Sequence, residues 1–124
     1  MEAKFNNRDP VYVQVIQHFK EQMAKGYFEP GQEIPSRREL ANTLKINPNT
    51  AQRAYKEMEE QGLIFTERNL PSRITKDVQM LKRVREELIG EAVDHFVHSV
   101  QTINVELPEV LDLVKDAYEK KKSE

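Results

Sequence analysis

Between Ser36 and Gly62 the chain reads "SRRELANTLKINPNTAQRAYKEMEEQG", a stretch with two helix starts and one helix stop. Ser36 and Glu39 have the spacing of a capping box, in which each side chain serves the other residue's backbone amide. Asn47-Pro48 repeats the signal: a capping side chain, then a proline that needs no amide partner in a first turn. Leu40, Ala41 and Leu44 give the first helix its apolar side. Ala51, Ala54, Tyr55 and Met58 do the same for the second, which is expected from Pro48 to about Gln61, with Gly62 as its stop. Lys45-Ile46 leaves room only for a brief connection. Two short helices joined so tightly form a helix-turn-helix.

The flanks complete a larger unit. Asp9-Pro10 reads as N-cap and first helical position, and Tyr12, Val15, Ile16, Phe19 and Met23 then recur at helical spacing up to Gly26. Glu29-Pro30-Gly31-Gln32 places Pro and Gly at the centre of a type II turn. On the other side, Leu63 to Glu67 is apolar and β-prone, Asn69-Leu70-Pro71 breaks it, and Arg73-Ile74-Thr75 returns. Three helices followed by a small hairpin make a winged helix over residues 1–76.

From Lys76 the pattern changes. Leu81, Val84, Leu88, Ala92, Phe96, Val100 and Ile103 step by three or four, and Ile89, Val93 and Val97 widen the stripe. One amphipathic helix over 77–105, roughly seven turns long, is the simplest reading. Pro108 begins a last helix carrying Val110, Leu111, Val114, Ala117 and Tyr118, with Lys120, Lys121 and Lys122 at the end that suits its dipole. The expected fold is mainly α: an N-terminal winged helix-turn-helix over 1–76 and a two-helix C-terminal dimerisation module over 77–124.

Composition narrows the function. Cysteine is absent, which removes disulfides, thiolate catalysis and Cys-based zinc sites together. No stretch reads as a membrane span or a secretory leader, so a cytoplasmic protein is expected. The formal net charge is −2, but residues 1–76 carry 12 Lys/Arg against 10 Asp/Glu and residues 77–124 carry 7 against 11. The front is mildly basic and the back acidic.

The polar side of the second helix is the feature that points to function. Asn49, Gln52, Arg53 and Lys56 stand at i, i+3, i+4 and i+7, opposite the apolar side; all can donate hydrogen bonds and none is acidic. Such a helix fits the DNA major groove, where Asn and Gln pair bidentately with adenine and Arg with guanine. Asn47, Asn49 and Thr50 lie at the positive helix end, which suits phosphates or base edges. Every surface helix has a polar face, so the stripe alone carries little. Its context adds weight. Arg37 and Arg38 sit in the first turn of the preceding helix, where a backbone-straddling helix meets phosphate, and Arg68 and Arg73 bracket the hairpin tip. Either arginine pair could instead serve a surface salt bridge.

Residues Pro10, Pro30-Gly31, Ile34-Pro35-Ser36, Arg38-Glu39-Leu40-Ala41, Asn49-Thr50, Arg53-Ala54-Tyr55 and Gly62-Leu63-Ile64 together resemble the DNA-binding domain of GntR-type bacterial transcription regulators. The short helical remainder resembles the YtrA-like branch, whose C-terminal part is a small dimerisation module. The resemblance implies that Arg38, Asn49, Thr50, Gln52 and Arg53 match DNA-contacting positions. It also implies a regulator, most often a repressor, of a neighbouring operon. The hairpin departs from the family pattern: a Gly-rich tip is usual, and here the tip is "ERNLPSRIT". Asn69 can take the positive φ a Gly would, while Pro71 narrows the choices.

A single winged helix reads one half-site, and dimers align two along a palindromic operator. Leu81, Val84, Leu88, Ala92, Phe96 and Val100 are therefore expected to face a partner subunit and the last helix. An unidentified small-molecule effector could lie at that interface. Glu91, Asp94, His95 and His98 in "EAVDHFVH" have ligand-like spacing, but histidines beside an apolar seam are more often interface or exposed residues, so no metal is expected. No phosphate loop, nucleophile elbow or metalloprotease signature occurs, and neither catalysis nor a cofactor is expected. The alternative is a winged-helix adaptor that docks on another protein without reading DNA.

Overall fold

The structure, a computed structural model, describes residues 3–123. The chain forms two compact units, Met1–Ile89 and Gly90–Glu124.

In the first unit, α1 (Val11–Ala24) begins one residue later than Asp9-Pro10 implies. Pro10 has φ −56° and ψ 140°, an extended residue that caps without a side-chain bond. The approach is shaped by Asn6, whose Oδ1 accepts from the amides of Arg8 and Asp9, and by Gln14, whose Nε2 donates to the Asp9 carbonyl. These side-chain bonds to the backbone do the work of an Asx turn. Past the helix, Gly26 takes φ 80°, the left-handed residue that ends it. The type II turn follows, with Gly31 at φ 76° and the Gln32 amide donating to the Glu29 carbonyl.

α2 (Arg37–Leu44) carries the full capping box between Ser36 and Glu39. Lys45 makes the connection at φ 55°, a left-handed residue without a glycine. α3 (Pro48–Glu60) starts on Asn47, whose Oδ1 accepts from the Asn49 amide at 2.8 Å. The apolar sides are the expected ones: Val15, Ile16, Phe19 and Met23 of α1, Leu40 and Ala41 of α2, and Ala51, Ala54, Tyr55 and Met58 of α3 are buried together. Phe19 meets the Tyr55 ring edge-on at 5.9 Å between centroids, the geometry aromatic pairs prefer. Burying each such large side chain contributes about 1.5–3 kcal/mol, and this small core sets the angle at which α3 is presented.

The wing is an antiparallel pair, β1 (Ile64–Phe65) and β2 (Arg73–Ile74), with Ile64 opposite Ile74 and Phe65 opposite Arg73. Asn69 takes the positive φ, at 64°, in a tip turn closed by the Leu70 amide on the Glu67 carbonyl. The far edge of β2 is also occupied. Glu33 bridges Arg73, the Ile34 amide donates to Ser72 and the Ile74 amide to Gln32, so residues 31–34 act as a third short strand.

α4 (Val78–Gln101) starts on Asp77, whose carboxylate accepts from the amides of Gln79 and Met80. It ends four residues short of the expected 105. Asn104 turns left-handed at φ 55°, and the Ile103 amide donates back to Val100. Val84 is 3 % exposed inside the first unit's core, with Met80, Leu81 and Leu88 half-buried against it. Val84, expected to face a partner, is thus covered by its own chain, whereas Leu81 and Leu88 keep part of their surface exposed.

In the second unit, the rest of α4 lies with α5 (Leu107–Lys122), which buries none of its residues. Phe96 at 41 %, Leu111 at 58 % and Leu113 at 60 % remain exposed, as do Val93 and Val97. An open apolar groove of about 220 Å³ is lined by Phe96, Val100, Ile103, Val110, Leu113 and Val114, among others. Among the described residues, no helix is long and apolar enough to cross a membrane.

Candidate nucleic-acid interface

The alternation along α3 explains why one side chain set is displayed. Ala51, Ala54, Tyr55 and Met58 are drawn inward by the core, which leaves Asn49, Gln52, Arg53 and Lys56 exposed on the opposite side. Asn49, Gln52 and Lys56 engage no side-chain partner among the described residues, so their donors face solvent. Arg38 is likewise exposed and unengaged there, on the first turn of α2. Thr50 is half-buried, and Asn47 is exposed with its carbonyl oxygen committed to the α3 cap. Arg68 is exposed in the wing-tip turn.

Two of the expected arginines are engaged elsewhere. Arg37 lies only partly exposed over the Tyr55 ring, 5.2 Å from its centroid, and its Nη2 donates to Glu59 Oε1 at 2.6 Å. Its Nε is buried without a partner. A guanidinium gripped this way is a strut between α2 and the end of α3. Arg73 donates through Nη1 to the Gly31 carbonyl at 3.0 Å and lies 3.8 Å from Glu33, which ties β2 to the turn before α2.

Glu59 belongs to a longer chain of bonds. Its carboxylate also accepts from Thr66 Oγ1 at 3.0 Å, and Thr66 lies 2.6 Å from Ser72 Oγ. Because a carboxylate only accepts, Thr66 donates to it, and the buried Ser72 hydroxyl therefore donates to Thr66. The relay joins both strands of the wing to α3 and, through Arg37, to α2. Sequence reasoning missed it, because Glu59, Thr66 and Ser72 are joined only once the hairpin folds back on α3.

Tyr55 is the other fixed point. Its hydroxyl donates to the Pro35 carbonyl at the entrance to α2. Burial pushes its phenol above its ordinary range, against the opposing pull of the Arg37 guanidinium. The phenol therefore stays protonated and able to donate.

Arg53, expected to read bases, is not loose on the surface. Its guanidinium lies over the ring of Tyr12 in α1, Cζ 3.9 Å from the centroid, and Nη2 donates to the Tyr12 hydroxyl at 3.0 Å. Its Nε is 3.8 Å from Glu57 Oε1. Tyr12 had been placed only as a core residue of α1.

Elsewhere, His95 and His98 are both exposed, and among the described residues no group of three His, Cys, Asp or Glu is placed to hold a metal ion.

A family model described as "Bacterial regulatory proteins, gntR family" matches residues 11–74. The chain is 35% identical to the HTH-type transcriptional repressor YtrA of Bacillus subtilis, over 86% of this chain and 83% of that protein. It is 30% identical to YhcF of the same organism, an uncharacterised HTH-type transcriptional regulator, over 93% and 95%. Among solved structures, a GntR family transcriptional regulator from Listeria monocytogenes superposes with a TM-score of 0.86 at 28% identity, over 90% of this chain and 98% of that one.

Proposed function

The chain belongs to the GntR family of DNA-binding bacterial transcription regulators, a non-enzymatic family, and we propose that it is a homodimeric repressor of a palindromic operator, acting in the cytoplasm. The observation that carries the reading is the display of Asn49, Gln52, Arg53 and Lys56 along the solvent side of a helix whose other side is locked in a core. In this reading residues 1–76 bind DNA. α3 enters the major groove, Asn49, Gln52 and Arg53 meet base edges, and Lys56, Arg38, Asn47 and Thr50 meet phosphates or the groove rim. Arg68 at the wing tip reaches the neighbouring groove. Repression is supported by the likeness to YtrA of Bacillus subtilis, which bears that description.

Residues 77–124 supply the pairing surface. With Val84 internal, that surface begins near Ile89 and runs through Ala92, Val93, Phe96, Val97 and Val100, joined by Leu111 and Val114 of α5. Exposed apolar area of this extent marks an interaction site. The groove beside Phe96 is assigned to the partner protomer and not to a small-molecule effector, because it lacks the convergent polar groups that orient a small ligand.

Fluorescence anisotropy on a preferred duplex tests the roles. Arg53→Ala is expected to cost roughly 1–3 kcal/mol and to relax sequence preference, whereas Arg38→Ala weakens all duplexes alike. An Arg53→Ala protein with undiminished preference would show that α3 is not the reading helix.

A further inference from the structure

We propose that Tyr12 is a specificity-determining positioning residue, which holds the Arg53 guanidinium in the orientation that recognises a guanine in the major groove. The inference rests on the reading of α3 as the base-reading helix and assigns a residue of α1 to the same site.

An arginine alone on a helix surface is a poor reader until it is ordered. Its side chain loses about 2 kcal/mol of rotamer entropy when fixed, and a glutamate one turn on offers a competing place for its fork. Glu57 stands in that place, yet it lies 3.8 Å from Nε, beyond hydrogen-bond length. Tyr12 holds the fork in two ways instead. The ring lies beneath the guanidinium, 3.9 Å from Cζ to the centroid, and the hydroxyl accepts from Nη2 at 3.0 Å. The ring is itself held, half-buried against the core shared by α1 and α3. The anchor is therefore as rigid as the helix packing.

The grip leaves the working edge available. The Arg53 side chain keeps 62% of its exposure. Of the five N–H donors of a guanidinium, Tyr12 takes one, and two are enough for the O6 and N7 of guanine. The ring contact and the hydroxyl bond together restrict both the tilt and the rotation of the fork. Both degrees of freedom matter to a bidentate contact and neither to a simple phosphate contact.

The test is selection from a pool of randomised duplexes by the full-length chain and by Tyr12→Leu, Tyr12→Phe, Arg53→Ala and the double variant Tyr12→Leu/Arg53→Ala, with circular-dichroism melts to establish folding. Arg53→Ala is expected to erase a guanine preference at one symmetric position of the motif. Tyr12→Leu is expected to lower preference at that same position by roughly tenfold, with the other positions and the low-salt affinity for random DNA unchanged. Tyr12→Phe, which keeps the packing and loses the hydroxyl, lowers it by roughly two- to fivefold. The double variant loses no more than Arg53→Ala alone, as expected for residues that act as a unit.

Four results overturn the inference. Full preference in a folded Tyr12→Leu protein shows that Arg53 needs no anchor; if the leucine variant does not fold, full preference in Tyr12→Phe shows that the hydroxyl bond, half of the assigned grip, does not act. Tighter or sharper binding by a Tyr12 variant shows that the ring sequesters Arg53 away from DNA. Uniform weakening at every position shows a purely structural role for Tyr12. A pool left unenriched by the unaltered chain removes the DNA-reading proposal itself, and this inference with it.

Discussion

Tyr55 shows how one side chain fixes the geometry of a binding surface. Its ring packs on Phe19 from α1 and beneath Arg37 from α2, while its hydroxyl reaches the Pro35 carbonyl. Tyr55→Phe removes a single oxygen, and the loss is expected to be about 1 kcal/mol in thermal or denaturant unfolding. The phenol also gives a pH signature. Its folded value is raised above the ordinary 10.0, mainly by burial. The stability it contributes is thus fully present below about pH 10 and lost as pH rises through the folded value. Melts through the alkaline range should show a steep limb for the natural chain and a shallower one for Tyr55→Phe; identical limbs would contradict the assignment. At this scale the sequence was legible where the physics is local. The Ser36–Glu39 box, the Asn47 cap and the left-handed Asn69 each depend on a few neighbouring residues. The particular partners of Arg37 and Arg73, Glu59 and Gly31, were not legible because only packing brings them near.

The wing matters at the scale of elements because two strands of two residues each have little stability alone. Here β2 is paired along one edge to β1 and along the other to residues 31–34, and the Ser72–Thr66–Glu59–Arg37 relay ties the hairpin to two helices. Glu59→Gln leaves a partly buried guanidinium without its counter-charge and should cost about 1–2 kcal/mol, given that the pair is partly exposed. Amide exchange in residues 64–74 should accelerate more than in α1. Protection lost equally throughout would mean that the relay stabilises the whole unit and not the wing. The hairpin itself could be read from its β-prone residues and its break. The third pairing could not, because Gln32-Glu33 carries no strand signal. The C-terminal end of α4 was read too long for a related reason: Thr102-Ile103 continues the apolar rhythm, and nothing as plain as a glycine marks the turn at Asn104.

For the whole molecule, the central question is how a small chain obtains enough contact with DNA. Half of the exposed stripe on α3 is uncharged, and the net charge is −2, so one copy has a modest electrostatic grip. In the proposed dimer, two copies double it and add register, since half-sites must then lie about one helical turn apart. Phe96→Glu should therefore convert the protein to monomers in sedimentation velocity at micromolar concentration and weaken operator binding by at least roughly tenfold, leaving the winged helix folded. An unaltered chain that sediments as a monomer would contradict the pairing. The measurement that bears most directly on the account is anisotropy of the unaltered protein with duplexes tiling the DNA upstream of its own coding region, repeated at rising salt. The DNA-reading function predicts one tile, covering a near-palindrome, bound far more tightly than its neighbours, with an affinity that falls steeply as salt rises. Absence of binding to every duplex, even at low salt, would contradict it and turn the winged helix toward a protein partner.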